Sequence, residues 1–295
     1  MVLPMLDSDF AVFILTYGRP DKVITIDNLR SAGYTGPIYL VCSDDDATLP
    51  EYQRRFGDKV LVFSKEEICK TMDSGTNDPR RNVVVYARNV CHSLAERIGI
   101  RYFVQLDDDY TGFRFTFDRN FNFNRSKIRD LDSVFDAFVE YLASVPSMLT
   151  IAFAQGGDFI GGDTGDIKRR PKLTRKAMNS FICATDRPFQ FVGKINEDVN
   201  TYAMGSRRGE LFLTAIHVQL DQLQTQSNSG GLTEFYLELG TYVKSFYSVM
   251  YCPSAVKVGL MGDHRANNYR LHHQLNWHRL APKIVSQNHR KAALP

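Results

Sequence analysis

Residues 101–109 read Arg101-Tyr102-Phe103-Val104-Gln105-Leu106-Asp107-Asp108-Asp109, a short apolar run that stops on consecutive aspartates. Such a run fits a strand covered on both faces, as strands of a parallel sheet packed between helices are. Upstream, Phe10 to Thr16 forms a similar run and breaks at Tyr17-Gly18-Arg19-Pro20. It reads as a buried strand meeting a helix whose first turn carries Pro20, with Val23, Ile26 and Leu29 as the helical stripe. Ile38 to Cys42 follows Gly36-Pro37 and stops at Ser43-Asp44-Asp45-Asp46, and Lys59 to Phe63 gives a further strand. Ser64-Lys65-Glu66-Glu67 is a capping box, and Val83 to Ile98 reads as a longer helix. Strands alternating with helices place the chain in the α/β class with a parallel sheet.

Beyond Asp109 the pattern changes. Phe113, Phe115 and Phe117 alternate, Asp118-Arg119-Asn120 is turn-like, and Phe121 and Phe123 alternate again, which predicts a β-hairpin. Leu131, Val134, Phe135, Phe138 and Leu142 keep helical spacing, and Leu149 to Ala154 reads as a strand before a glycine-rich stretch, Gly156 to Gly165. Gln222 to Gly231 is polar and reads as a loop, Leu232 to Tyr251 as a helix, and Ala255 to Leu260 as a strand, followed by a basic, His-rich tail. The second half is mixed, and no internal repeat is visible.

Composition bounds the function. In 295 residues, 43% are hydrophobic and 23% charged, which excludes a disordered or fibrous chain. Thirty-six basic against 33 acidic side chains give +3, too small a balance to name a polyanionic partner. The five cysteines, Cys42, Cys69, Cys91, Cys183 and Cys252, lack C-x-x-C spacing and read as buried thiols of a reducing, cytoplasmic compartment. Neither a signal peptide nor a membrane span is expected.

Open parallel sheets bind ligands at the carboxyl ends of their strands, and here those ends carry Thr16 to Arg19, Asp44 to Asp46 and Asp107 to Asp109. Neither G-x-G-x-x-G nor G-x-x-x-x-G-K-[ST] follows the first strand, so dinucleotide enzymes and P-loop NTPases are disfavoured. A diphosphate held without such a loop can be held through a divalent cation, and Asp107 and Asp109 are spaced to present oxygens to one hard ion. A solvated acidic turn is the alternative for an isolated D-x-D.

The longer pattern is Tyr86-Ala87-Arg88-Asn89, an amphipathic helix, then Tyr102 to Asp109. It resembles the nucleotide-sugar half of GT-A glycosyltransferases, and the fold this implies is a GT-A-type, Rossmann-like, mostly parallel sheet with flanking helices. The resemblance implies Mn²⁺ or Mg²⁺ at Asp107 and Asp109, and donor contacts from Thr16, Tyr17, Arg19, Asp44, Asp45, Arg88, Asp107 and Asp108. Arg88 would neutralise phosphate or pin the acidic turn, with an ordinary helix ion pair as its other reading. Asn196-Glu197-Asp198-Val199-Asn200 resembles the glutamate-aspartate motif of the same enzymes, with Asp198, or Glu197, as the base for an acceptor hydroxyl. Helix capping is the bland reading of that pair. His264 could be a further metal ligand. His272, His273 and His278 lack a zinc-helix spacing and read as polar surface or phosphate contacts.

Lys168, Arg169, Arg170, Lys172, Arg175 and Lys176 crowd together without an intervening acid, and the tail adds more basic residues with Tyr269 and Trp277 among them. Basic residues interleaved with aromatics suit a nucleic acid with an extruded base, or else form a solvated face. The opening Phe13 to Pro20, the Tyr39 to Asp46 strand end and Val104 to Tyr110 resemble the TET-associated glycosyltransferases of bacteriophages, relatives of the base J glucosyltransferase. That resemblance implies hexose transfer from a UDP-sugar to a hydroxymethylpyrimidine such as 5-hydroxymethylcytosine in DNA, with inversion. A transferase acting on a saccharide or small metabolite, a metal-dependent nuclease or other phosphoryl-transfer enzyme, and a non-enzymatic DNA-binding module are the alternatives. The expected organisation is one domain over 1–295, with a nucleotide-sugar half at 8–125 and an acceptor half at 126–295 that ends in the basic segment.

Overall fold

The structure is a computed structural model that describes residues 9–76, 83–159, 176–222, 232–263 and 268–280. The first half runs β1 (Phe10–Leu15), α1 (Ile24–Ser31), β2 (Ile38–Ser43), α2 (Leu49–Phe56), β3 (Val60–Phe63), α3 (Lys65–Thr71), α4 (Val85–Arg97) and β4 (Tyr102–Asp107). The chain continues with β5 (Tyr110–Phe117), β6 (Phe123–Lys127), α5 (Leu131–Ser144), β7 (Met148–Gln155) and β8 (Phe181–Ala184). It ends with α6 (Glu197–Arg207), β9 (Leu211–Gln222), α7 (Leu232–Tyr251), β10 (Val256–Asp263), β11 (Asn268–Leu275) and α8 (Trp277–Leu280).

One nine-stranded sheet has the order β3-β2-β1-β4-β8-β7-β9-β5-β6, and β10 pairs with β11 in a separate two-stranded ribbon. From β3 to β4 every pairing is parallel. Past β4 the sheet is mixed: β8 runs antiparallel to both neighbours, β7 and β9 are parallel, and β9-β5-β6 is antiparallel. The chain is thus α/β, with a parallel first half and a mixed second half.

The apolar runs are continuous because the central strands feed two cores. Phe10, Val12 and Ile14 of β1 enter one layer with Tyr34, Leu131 and Phe135. Ala11, Phe13 and Leu15 enter the other with Val85, Cys91 and Phe103. Fully burying each large apolar side chain contributes roughly 1.5–3 kcal/mol, so the two-sided strands dominate the fold's stability. In β4 the alternation breaks once: Gln105 is fully buried, and its Nε2 donates to the backbone carbonyl of Arg88 at 3.2 Å. A polar residue in a core strand therefore fixes α4 against β4 at the height of the site.

Pro20 lies in a turn ahead of α1 rather than in its first turn, because Lys22 N–H bonds back to Arg19 O and the helix opens only at Ile24. The hairpin of β5 and β6 and the helices α5 and α7 lie where the sequence places them, whereas β8, β9 and β11 were not anticipated. Cys42, Cys69, Cys91, Cys183 and Cys252 are free thiols, all but Cys69 fully buried. Among the described residues no helix is long and apolar enough to cross a membrane.

Candidate active site

The acidic turn after β4 separates its three carboxylates. Asp108 points inward, with 2% of its side chain exposed, accepts a hydrogen bond from Thr16 Oγ1 at 2.7 Å and pairs with Arg19 Nη2 at 2.8 Å. Thr16 Oγ1 also lies 2.7 Å from the Tyr52 hydroxyl, which accepts the Arg19 backbone N–H at 2.9 Å. These bonds tie the ends of β1 and β4 to α2. Desolvation raises the Asp108 carboxyl to about 6, against the lowering effect of Arg19 and Thr16. Asp107 and Asp109 stay half-buried. Desolvation, then the like charge of Asp107, lifts Asp109 above the usual carboxylate range.

Arg88, on α4, is 1% exposed and reaches both acidic motifs. Its Nη2 donates to Asp107 Oδ1 and its Nε to Glu197 Oε1, each at 3.0 Å. Its guanidinium carbon lies 5.3 Å from the centroid of Phe181 and 5.9 Å from that of Phe191. Desolvation opposes the charge, but Asp107 and Glu197 hold Arg88 protonated. The next residue completes the Ala-Arg-Asn motif: Asn89 Nδ2 donates to Phe191 O at 2.9 Å and Asn89 Oδ1 accepts from Phe191 N–H at 2.7 Å. One turn of α4 thus holds both the strand-end acids and the segment that enters α6.

That segment turns sharply. Gly193 has φ +81°, and a Cβ there would lie 2.6 Å from Asn200 Nδ2 and 2.8 Å from Tyr251, so only glycine fits. Asn196 takes a left-handed φ of 53° as α6 begins, and its Nδ2 donates to Lys244 O at 2.7 Å. Glu197 is buried, and desolvation with the adjacent Asp198 raises its carboxyl despite Arg88. Asp198 is half-buried; desolvation raises it, while the Val199 N–H and the charges of Arg88, Lys176 and Lys244 pull it down. Beside it, Lys176 Nζ lies 2.8 Å from Nε2 of the buried His273, whose protonation is pushed down to about 2 by desolvation and then by Lys176. His273 is therefore a neutral acceptor for the ammonium.

The β2 end supplies a second acidic turn. Lys65 Nζ pairs with Asp45 Oδ1 at 2.7 Å and stands 4.5 Å from the centroid of the half-exposed Tyr17 ring. Against desolvation, hydrogen bonds from Lys65 and Ser43 hold Asp45 below the usual carboxylate range. Asp44 Oδ1 accepts the Lys65 backbone N–H at 3.1 Å, and Asp46 accepts the Gly18 N–H at 2.7 Å. Thr16, Tyr17, Arg19, Asp44 and Asp45 therefore share one rim at the ends of β1 and β2.

His264 and the run Lys168, Arg169, Arg170, Lys172 and Arg175 lie outside the described residues. Lys176 is described: its ammonium lies against His273, and its charge acts on Asp198. Trp277 packs on Tyr202 at 5.8 Å between centroids, as part of the second core layer. No group of three or more His, Cys, Asp or Glu suited to a metal occurs among the described residues. Tyr52 and Lys65 were not singled out as site residues from the sequence, and His273, read there as polar surface or a phosphate contact, is instead buried against Lys176. His273 alternates with Leu271 and Leu275 on β11, the one pattern that could have marked it as inward-facing.

The parallel half-sheet with its strand-end acids and the paired carboxylates on α6 belong to a glycosyltransferase. Residues 10–231 match the family model of the TET-associated glycosyltransferases, and the chain belongs to that family. No curated protein matches it in sequence. Among solved structures, glucosyl-3-phosphoglycerate synthase from Mycobacterium tuberculosis in complex with Mg²⁺ and uridine diphosphate is similar at 10% identity and TM-score 0.46, covering 91% of this chain and 88% of that one. A mannosyltransferase from Pyrobaculum calidifontis in complex with GDP-mannose and Mn²⁺ is similar at 12% identity and TM-score 0.47, over 84% of this chain and 75% of that one.

Proposed function

We propose that this glycosyltransferase moves a hexose from a UDP-sugar to the hydroxymethyl group of a 5-hydroxymethylpyrimidine in DNA, inverting the anomeric centre. The observation that carries the reading is the placement of Asp198. It opens α6 next to Glu197, which Arg88 ties directly to the Asp107 turn, so an acceptor base and a donor-side acid cluster share one rigid frame.

On the donor side, residues 8–125, the partly exposed Arg19 is oriented by Asp108 with guanidinium nitrogens left for phosphate, and Tyr17 offers a ring edge backed by Lys65. Asp44 and Asp45 flank the position of the base or ribose. Asp107 and Asp109 suit a divalent cation: they are hard oxygen donors one residue apart, and their mutual repulsion is what a cation relieves. Bound Mn²⁺ or Mg²⁺ would neutralise charge on the departing diphosphate. His264 is the proposed further ligand.

On the acceptor side, residues 126–295, Asp198 takes the hydroxymethyl proton while the freed oxygen bonds to the anomeric carbon and the carbon–diphosphate bond breaks, releasing UDP. Burial favours this role because a desolvated carboxylate is a stronger base, and Lys176 and Lys244 keep it ionised. Glu197, neutralised by Arg88, serves the frame. The basic run Lys168 to Lys176 suits the DNA backbone, and family membership supports a DNA acceptor.

The test is incubation with UDP-sugars, Mn²⁺ and hydroxymethylated DNA, followed by mass analysis of the digested nucleosides. A hexose added to the modified nucleoside is expected. Transfer only to free saccharides, with the DNA unchanged, refutes the DNA acceptor.

A further inference from the structure

The hairpin of β5 and β6 lies at the outer end of the large sheet, beyond β9; only its first residue, Tyr110, reaches the site, donating its hydroxyl to Asp107 Oδ2 at 3.4 Å. Its turn holds an unusual residue. Phe121 has φ 61° and is 64% exposed, a left-handed backbone with a bulky side chain in solvent, where glycine or asparagine is the expected occupant. The turn enforces it: Phe121 N–H bonds to Asp118 O at 3.0 Å, and Asp118 Oδ1 accepts the N–H groups of Asn120 and Asn122 at 2.8 and 2.9 Å.

Around this ring the hairpin builds an aromatic floor. His217 stacks edge-on with Phe117 and Phe121, each at 6.1 Å, and Phe117 and Phe123 pack on Phe159 at 6.3 and 5.6 Å. The exposed Arg125 lies over Phe123 at 5.1 Å. Arg119, Arg125 and Lys127 are exposed and have no acidic partner among the described residues, whereas Arg114 is neutralised by Asp221. Charged residues on an edge strand ordinarily guard against strand pairing, and that accounts for Arg125 and Lys127 alone. It does not account for a phenylalanine held outward in a strained conformation beside them, since a guard keeps apolar surface away from solvent.

We infer that the Asp118–Lys127 hairpin is a nucleic-acid contact, with an unpaired base on the Phe121 ring and the flanking phosphates on Arg119 and Arg125. The chemistry is that of a stacking platform with cations at its rim, which accepts any base because each has a π face. The inference rests on the DNA-acceptor reading and extends it. These side chains take no part in the catalytic frame and are separate in sequence from the Lys168 to Lys176 run, and they would serve to hold strand near the base to be modified.

The experiment is fluorescence anisotropy of the whole protein on a labelled single strand and on the matching duplex across a salt series. Phe121→Ala should weaken single-strand binding about 10-fold, in the range of one lost stacked base, and duplex binding less. Arg119→Ala with Arg125→Ala should make the single-strand log–log salt slope shallower by about 1.4, the loss of two phosphate contacts. Phe121→Trp should restore affinity, and its fluorescence should be quenched as DNA is added. All of these positions are exposed, so melting temperatures should match the wild type. Wild-type binding with both variants unchanged overturns the hairpin assignment alone. Failure of the wild type to bind or modify DNA overturns the DNA-acceptor reading and the hairpin with it. Equal competition by a base-free polyanion, with no effect of Phe121→Ala, overturns the stacking role.

Discussion

Arg88 Nε donates to Glu197 Oε1 at 3.0 Å across the buried face of α4, and the same guanidinium holds Asp107. Residues distant in sequence thus share one desolvated cation. An arginine suits this because its planar fork serves two carboxylates at once, which a lysine ammonium cannot do at fixed geometry. The site is consequently a single electrostatic unit, and disturbing one end should be felt at the other.

Arg88→Met leaves the buried Glu197 and the half-buried Asp107 without their cation. Removing one partner of a buried pair costs about 3–5 kcal/mol, so a loss of that size is expected in urea unfolding at pH 8 with an unchanged m-value. The deficit should shrink as pH falls, because burial raises the Glu197 carboxyl and its protonated form no longer requires the partner. Arg88→Lys should fall between. Unchanged stability at pH 8 contradicts the bridge.

Asp109→Ala and excess EDTA should each abolish sugar transfer and leave the fold intact. Asp109 is held above the normal carboxylate range by desolvation and by Asp107, so its charge is a cost to the folded protein without a cation. Asp109→Asn should therefore keep or raise the melting temperature in EDTA while losing the thermal shift that Mn²⁺ with UDP-sugar confers. Full transfer in EDTA refutes the cation at this turn.

Asp108 gives the site a pH dependence of definite sign. Its folded carboxyl ionises near 6, above the ordinary aspartate value, so between about pH 4 and 6 the native protein binds more protons than the unfolded chain. Its contribution to stability therefore declines as pH rises through that window, by about 3 kcal/mol in all. Asp108→Asn should remove this decline and raise the melting temperature at pH 8. It should also weaken UDP-sugar binding, because Arg19 loses the carboxylate that aims it. Calorimetry across pH, paired with donor titration, reads both; a variant no more stable at pH 8 and undiminished in donor affinity contradicts the assignment.

The parts of this architecture that were legible in sequence are those governed by local pattern. The runs ending at Leu15, Cys42 and Leu106 announce doubly covered strands because both of their faces are buried, and the acids that follow mark the ligand end of the sheet. The hairpin showed in the alternation of Phe113 to Phe123. In contrast, β8 is only Phe181–Ala184, too short to show a period, and β9 is kinked by a register shift against β7 between Phe153 and Ala154, which scrambles its alternation. The Ala-Arg-Asn and Glu-Asp motifs could be recognised separately. Their connection through Arg88 is a long-range ion pair, and no spacing rule encodes it. Tyr52 and Lys65 were invisible for the same reason: each joins the site through a contact with a residue far away in sequence.

The pair at the start of α6 separates catalysis from framework. Glu197 is spent on Arg88, while Asp198 accepts the neighbouring N–H of Val199 and lies in the field of Arg88, Lys176 and Lys244. Asp198→Asn preserves shape and much of the capping, so it should lower single-turnover transfer to hydroxymethylated DNA by about 10²-fold or more without changing donor affinity or melting temperature. Residual turnover should lose the acid limb of the pH–rate profile, since the group whose ionisation it reports is gone. Glu197→Gln keeps one hydrogen bond to Arg88 but removes its counter-charge, so its loss should appear first in stability and only secondarily in rate. Wild-type transfer by Asp198→Asn with a dead Glu197→Gln would transfer the base to Glu197. Full activity in both would make the pair a helix cap and require the acceptor proton to leave by another route.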